Sequence, residues 1–205
     1  MITTAIIGRP NVGKSTLFNR LVGKREAITD SSSGVTRDRH YGETEWNGIK
    51  FRVIDTGGYT SGKSRDEFED EIKKQVEFAI TEADILLFLV DVNTGITDLD
   101  EAIAEKLRKS DKKVFTLVNK VDNPQKQLDA TEFYSLGIEK LSSISAINGF
   151  GSGDVLDELV EEIKKIPKEE EDKQNNELPR ISIVGKPNVG KSSLVNTFLG
   201  EYRNV

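Results

Sequence analysis

Two stretches of this chain have the residue types and spacing to hold a polyphosphate. Gly8-Arg-Pro-Asn-Val-Gly-Lys-Ser15 and Gly185-Lys-Pro-Asn-Val-Gly-Lys-Ser192 share the pattern G-x-x-x-x-G-K-S. Each follows a short apolar run, Thr4-Ala-Ile-Ile or Ile181-Ser-Ile-Val, and each precedes a helix-like stretch. Between a strand and a helix such a loop wraps closely around phosphates, with its N–H groups turned inward as donors. The N–H groups from Gly8 through Asn11, Val12, Gly13, Lys14, Ser15 and Thr16 are the candidate cradle, and the helix N-terminus adds partial positive charge there. Lys14 is placed to reach β- and γ-phosphates, and the Ser15 hydroxyl to ligate magnesium. Gly185, Asn188, Gly190, Lys191 and Ser192 repeat the set. The competing reading, a glycine-rich turn that binds nothing, is disfavoured by the flanks occurring twice.

Asp55-Thr-Gly-Gly58 comes after the apolar run Phe51-Arg-Val-Ile54 and fits D-x-x-G. In this order behind a phosphate loop, Asp55 is expected to hold magnesium through water, and the Gly58 N–H to meet a γ-phosphate. Taken alone, D-x-x-G is also what an ordinary turn after a strand looks like. Asn119-Lys120-Val121-Asp122 follows Val114-Phe-Thr-Leu-Val118 and fits N-K-x-D. A buried carboxylate at Asp122 can accept from N1–H and the exocyclic amine of guanine, a donor pair adenine lacks, and would be left unpaired by adenine. Asn119 is expected to read the other edge of the base, and the Lys120 stem to cover its ring. Ser145-Ala146, after a further short run, is placed for its backbone to approach the guanine oxygen; this motif is accepted only for its position.

The elements that must position these residues alternate apolar runs with amphipathic stretches, an α/β signature. Ile85-Leu-Leu-Phe-Leu-Val90 reads as a buried parallel strand, too short to cross a bilayer. Asn47-Gly48 between Glu43–Trp46 and Ile49–Val53 predicts a hairpin and one antiparallel edge strand, with Trp46 a packing residue on it. Apolar residues at Ile72, Val76, Ala79 and Ile80 predict a helix, and two more are expected over Leu99–Lys109 and Gly153–Ile166. The expected fold is therefore a phosphate-loop α/β domain over 1–167, a mostly parallel sheet flanked by helices. Residues 168–179, with no apolar residue over Lys168–Glu177, read as a solvated acidic linker. Residues 180–205 read as the truncated start of a second domain: strand, loop and helix, loosely ordered or held by a neighbour. Neither guanine reading nor γ-phosphate sensing has residues there.

Composition narrows the function classes. The 205 residues carry a net charge of −6, which argues against a freestanding nucleic-acid binder, and no direct nucleic-acid site is evident. There is no cysteine, hence no disulfide or thiolate metal site, which suits a cytoplasmic protein. The N-terminus has neither the basic region nor the cleavage site of a secretion signal, and no membrane partner is expected.

These ordered motifs resemble the GTPases of the Era and TrmE type. The match runs over residues 1–166 through Gly8–Ser15, Thr36 within Gly34-Val-Thr-Arg-Asp38, Asp55–Gly58, Asn119–Asp122 and Ser145-Ala146. Two such domains in tandem resemble the Der (EngA) family. The resemblance implies a bacterial GTP-binding and GTP-hydrolysing switch that assists assembly of the large ribosomal subunit. It assigns Thr36 to the magnesium shell, in a loop ordered only when a γ-phosphate is present. The chain departs from the family by ending early in the second domain, without the C-terminal RNA-binding-like domain.

Ras-type GTPases orient the attacking water with a glutamine just after D-x-x-G. Here that position is Tyr59, and no glutamine occurs from Ile54 to Lys74. Relatives without it use potassium at the phosphates, held by a loop asparagine, and that residue here is Asn11. Potassium assistance with Lys14, Asn11 and Thr36 as the catalytic set is the expectation, with slow intrinsic turnover; a loop-stabilising Asn11 is the alternative. Arg37 and Arg39 are read equally as transition-state charges or a solvated loop, and His40 as a surface residue. Two other readings stay open. One is a nucleotide-responsive binding module with negligible hydrolysis; the other is a tRNA-modification GTPase, which the tandem loop argues against.

Overall fold

The apolar runs form one six-stranded sheet. A computed structural model of the protein describes residues 1–23, 40–57, 65–167 and 197, with the backbone alone at 65–69 and 71. The strands are β1 (Thr3–Ile7), β2 (His40–Trp46), β3 (Ile49–Asp55), β4 (Ile85–Asp91), β5 (Lys113–Asn119) and β6 (Lys140–Ser143). Their order across the sheet is β2-β3-β1-β4-β5-β6, parallel except for the β2–β3 pair. Five helices accompany them: α1 (Lys14–Val22), α2 (Arg65–Glu82), α3 (Asp98–Arg108), α4 (Pro124–Asp129) and α5 (Ser152–Lys165), with a 3-10 segment at Ala130–Leu136.

The β2–β3 hairpin turns at Asn47 (φ 48°) and Gly48 (φ 76°), both left-handed, which matches the right-handed twist of the strands it joins. Trp46 donates from Nε1 to Asp157 Oδ1 (2.7 Å) and Asn47 Nδ2 to the same oxygen (2.8 Å), so α5 pins the hairpin tip. Every residue of β4 is buried. Leu86, Phe88 and Val90 pack in one cluster with Ile72, Val76 and Ala79 of α2 and Ile103 and Leu107 of α3. The period of two along a strand sends Ile85, Leu87 and Leu89 to the opposite face. There α1 buries Leu17, Phe18 and Leu21, and α5 buries Val155, Leu159, Val160 and Ile163. That two-sided burial is why β4 is apolar throughout rather than alternating.

The three expected helices correspond to α2, α3 and α5, with α2 starting seven residues earlier than the periodic stretch Ile72–Ile80. Helix α4 and the 3-10 segment were not legible from periodicity, because α4 buries none of its residues and so carries no apolar stripe. Its signal is capping chemistry instead: Asn123 Oδ1 accepts from Lys126 N (3.0 Å), and Pro124 occupies the first turn. Helix α3 opens with a capping box, Thr97 and Asp100 each bonding the other's backbone N–H.

Thr36, Gly58, Tyr59, the acidic stretch 168–179 and the second phosphate loop lie outside the described residues, as do Arg37 and Arg39. The described strands and helices all belong to one contact unit.

Gly42 marks the tightest seat of α1 on the sheet, since a Cβ there would lie 2.4 Å from Val22 Cγ2 and 3.0 Å from the Phe18 ring. Gly42→Val is expected to cost about 1–3 kcal/mol through overpacking, read as a lower urea midpoint with an unchanged m-value.

Candidate functional site

Parallel strands bring their C-terminal ends to one edge of the sheet, and the chemistry-bearing residues sit there. Gly8 follows β1, Asp55 ends β3, Asp91 ends β4, Asn119 ends β5, and Ser145-Ala146 follows β6. Crevices outside the carboxyl ends of such strands are where α/β folds bind ligands.

The phosphate loop links β1 to α1 through unusual backbone. Gly13 (φ 104°) caps α1 in a left-handed conformation, and Asn11 has φ 63°. A Cβ on Gly13 would meet Asn119 Nδ2 at 2.4 Å, so only glycine admits that amide. Val12 is fully buried beneath the loop, which fixes its floor. Lys14 is buried, and its Nζ donates to the carbonyls of Gly8 (2.8 Å) and Arg9 (3.0 Å). Burial pushes the Lys14 ammonium down to about 8, against the counteracting pull of the Asp55 charge. Ser15 and Thr16 are exposed on the first turn of α1, so their hydroxyls and N–H groups face out at the helix N-terminus.

Asp55 is fully buried. Its Oδ1 accepts from Gly57 N (2.9 Å), while Oδ2 is buried with no partner among the described residues. A buried carboxylate oxygen left without a donor is costly unless a cation or its water completes it. That orphaned oxygen, beside the Lys14 charge and next to the loop carrying Ser15, fits a hydrated magnesium ion.

The N-K-x-D segment takes up a different arrangement from the one expected. Asn119 is buried and works as a clamp: Nδ2 donates to Val12 O (2.7 Å), and Oδ1 accepts from Ala146 N (2.8 Å). One amide hydrogen is left over for a base. The Ala146 N–H is thus engaged by Asn119, and the Ala146 carbonyl accepts from Arg20 Nε (2.5 Å). Lys120 adopts φ 68°; its Nζ donates to Asn11 O (3.0 Å) and pairs with Asp91 Oδ2 (2.5 Å). Asp122 was expected to be buried and is instead exposed, because it lies one residue beyond Val121, the last residue drawn into the core. It accepts from Lys126 Nζ (3.1 Å) and Asn123 Nδ2 (2.9 Å), and the Lys126 bond holds its carboxyl below the ordinary value.

Asn11 is exposed at φ 63°, and its carbonyl accepts from Lys120 Nζ (3.0 Å). His40 is exposed at the start of β2, its ring 6.3 Å from that of Phe18, a packing position. Four residues the motifs did not reveal also shape the site: Arg9, Arg20, Asp91 and Lys126. Arg20 also donates to Ile147 O, so α1 grips the Ser145-Ala146 loop from across 126 positions of sequence. No local pattern signals such a contact; only Lys126, four residues from Asp122 at the start of a helix, has a sequence cue.

Comparison with known proteins agrees with this geometry. A family model described as 50S ribosome-binding GTPase matches residues 3–120 and again 180–205. The chain is 56% identical over 201 residues to proteins named GTPase Der from Christiangramia forsetii and from Flavobacterium johnsoniae, covering 98% of this chain and 45% of each relative. It therefore spans about half the length of the curated relatives it matches. Among solved structures, a variant of Era from Aquifex aeolicus bound to GDP·AlF4− aligns with a TM-score of 0.58 at 29% identity, over 90% of this chain and 59% of that one.

Because Lys14 loses its charge above about pH 8 and a phosphate favours the charged form, GDP binding without magnesium is expected to take up a proton there. Affinity should fall by up to about tenfold per pH unit above 8, until the raised pKa of the complex is reached. Calorimetry at pH 8.5 in buffers of differing ionisation enthalpy measures the uptake, and Lys14→Met should abolish it.

Proposed function

Since the chain belongs to the Der family of GTPases, we propose that its first domain binds GTP with magnesium and hydrolyses it, as a switch that assists assembly of the large ribosomal subunit. The observation that carries this reading is the convergence of the Lys14 cage, the orphaned Asp55 Oδ2 and the Asn119–Asp122 segment on one sheet edge. Residues 180–205 are assigned to the start of a second such domain by their repeated loop and the second match of the family model. By family resemblance the protein is assigned to the cytoplasm.

In this mechanism the N–H groups of Gly13, Lys14, Ser15 and Thr16 receive phosphate oxygens at the α1 N-terminus. Lys14, held by its two carbonyl partners, has a third N–H to give to the β- and γ-oxygens, where its charge opposes the negative charge that builds as the γ-phosphoryl group departs. Ser15, Thr36 and, through water, Asp55 would hold magnesium, which would supply positive charge against the negative charge developing on the phosphates. Gly58 N–H meets the γ-phosphate and Thr36 orders its loop around it, so that loss of phosphate frees both. The exposed Asn11 amide is the residue that would hold potassium as an added positive charge. Asp122 accepts the two guanine donors, the Lys120 stem covers the ring, and Asn119 with Ser145-Ala146 closes the base site. Water attacks the γ-phosphorus as its bond to the bridging oxygen breaks, yielding GDP and phosphate. With Tyr59 where Ras-type proteins have glutamine, no side chain is assigned to orient that water, and intrinsic turnover is slow.

Turnover of GTP with magnesium is expected to be faster in potassium chloride than in sodium chloride at equal ionic strength, and the difference to vanish in Asn11→Ala. Equal, barely detectable rates with intact GTP binding would favour a binding module instead. Asp122→Asn reverses the donor pattern offered to the base and should shift preference from guanine toward xanthine nucleotides by several orders of magnitude, about 10⁴; unchanged guanine preference refutes the role of Asp122. Large subunits should cosediment with the GTP form more than with the GDP form, and equal cosedimentation removes the switch reading.

A further inference from the structure

The phosphate loop is gripped from behind by the segment that joins β4 to α3. Arg9, the second residue of the loop, is largely covered by protein, with its side chain 14% exposed. Its Nε bonds Oδ2 of Asp100 at 3.1 Å, and its Nη2 donates to Thr94 Oγ1. Asp100 is fully buried in the first turn of α3; the same Oδ2 accepts from Thr97 N (3.1 Å) and Thr97 Oγ1 (2.7 Å). Its other oxygen has no partner among the described residues, so Arg9 is the cation that compensates it there. Thr94 is itself fixed, its hydroxyl donating to Asp91 O (3.1 Å). Asp91 in turn pairs with Lys120, whose Nζ bonds Asn11 O. The segment 91–100 thus holds the loop directly at Arg9 and, through Lys120, at Asn11.

The grip matters because of what the Arg9 backbone does. Its carbonyl, with that of Gly8, forms the cage around the Lys14 ammonium. With its guanidinium tied at two points, one a buried carboxylate, Arg9 restrains the stretch of backbone that carries that carbonyl. Charge-assisted bonds to a buried acid are among the stronger tethers a side chain makes, and breaking one strands a buried charge.

We propose that Arg9, anchored by Asp100 and Thr94, is a positioning residue that holds Lys14 where β-phosphate binds, so that the start of α3 sets the loop's affinity for the terminal phosphates. This rests on the reading of the loop as a guanine-nucleotide phosphate site. None of Asp100, Thr94 and the Arg9 guanidinium is assigned a contact with nucleotide. Their influence passes through the loop backbone alone, which gives movement of α3 a route to the phosphates.

The test compares GDP with GMP, which lacks the phosphate that Lys14 would meet. Asp100→Asn keeps the size of the side chain and its ability to accept from Thr97 but removes the charge that tethers Arg9. It is expected to weaken GDP binding about tenfold while GMP affinity stays within about twofold. Thr94→Val, which removes only the second tether, should lower the ratio of GDP to GMP affinity by about threefold. A general loss of structure would weaken both nucleotides alike. If both variants keep the parent's GDP-to-GMP ratio within error, the proposal is overturned; if Asp100→Asn fails to fold, Thr94→Val decides by the same ratio. Parent protein that binds neither nucleotide overturns the phosphate-site reading itself, an outcome distinct from variants that bind as the parent does.

Discussion

A single buried amide, that of Asn119, joins loops that the chain separates by more than a hundred residues. Its Nδ2 holds the phosphate loop at Val12 O and its Oδ1 holds the Ala146 backbone, so neither loop can shift without breaking a hydrogen bond in the protein interior. Such bonds are worth more where water cannot replace them, and a lost partner leaves the other group unsatisfied. Gly13 is glycine because that amide passes where a Cβ would stand. Arg20 reinforces the same loop from α1, bonding the Ala146 carbonyl. The clamp and the close approach are two sides of one constraint: the site is built by loops drawn against each other, and the sheet beneath supplies the fixed points.

Around this clamp the charged groups are poised rather than satisfied. Among the described residues, Lys14 is buried with carbonyls as its hydrogen-bond partners, and Asp55 keeps one buried oxygen without a donor. Each state lowers stability, since burial disfavours a charge that lacks a matched counter-charge. The same states prepare the site for a polyanion and a cation, because groups already desolvated and fixed need not reorganise when the ligand arrives. Asp122 is the contrasting case. It is exposed and held by Lys126 and Asn123, so this carboxylate costs the fold little.

Much of the fold was legible because its signals are local. The fully apolar β4 announces burial on both faces, the Asn47-Gly48 turn needs two left-handed residues, and the stripe at Ile72, Val76 and Ala79 marks a helix against the core. Helix α4 was not legible, because it lies on the surface with no residue buried and depends on its Asn123 cap. In the site, the loop of Gly8–Ser15 and the positions of Asp55 and Asn119 follow from motif and order. The bonding of Asn119 and the exposure of Asp122 did not, since both depend on which neighbouring loop arrives.

Residue type and spacing by themselves determined which groups form the phosphate loop, which strands end in acids and amides, and that the loop motif, though not those strand ends, repeats near the C-terminal end of the chain. Those are properties of a few consecutive residues, set by backbone freedom, capping and apolar periodicity. Only the tertiary structure decided that Arg9 is tied to Asp100, that Lys120 pairs with Asp91 over the loop, and that Arg20 reaches Ala146. These contacts span 91, 29 and 126 positions. A parallel sheet brings such distant strand ends to one edge, and the partners are chosen by which side chains meet there rather than by any pattern in the chain between them.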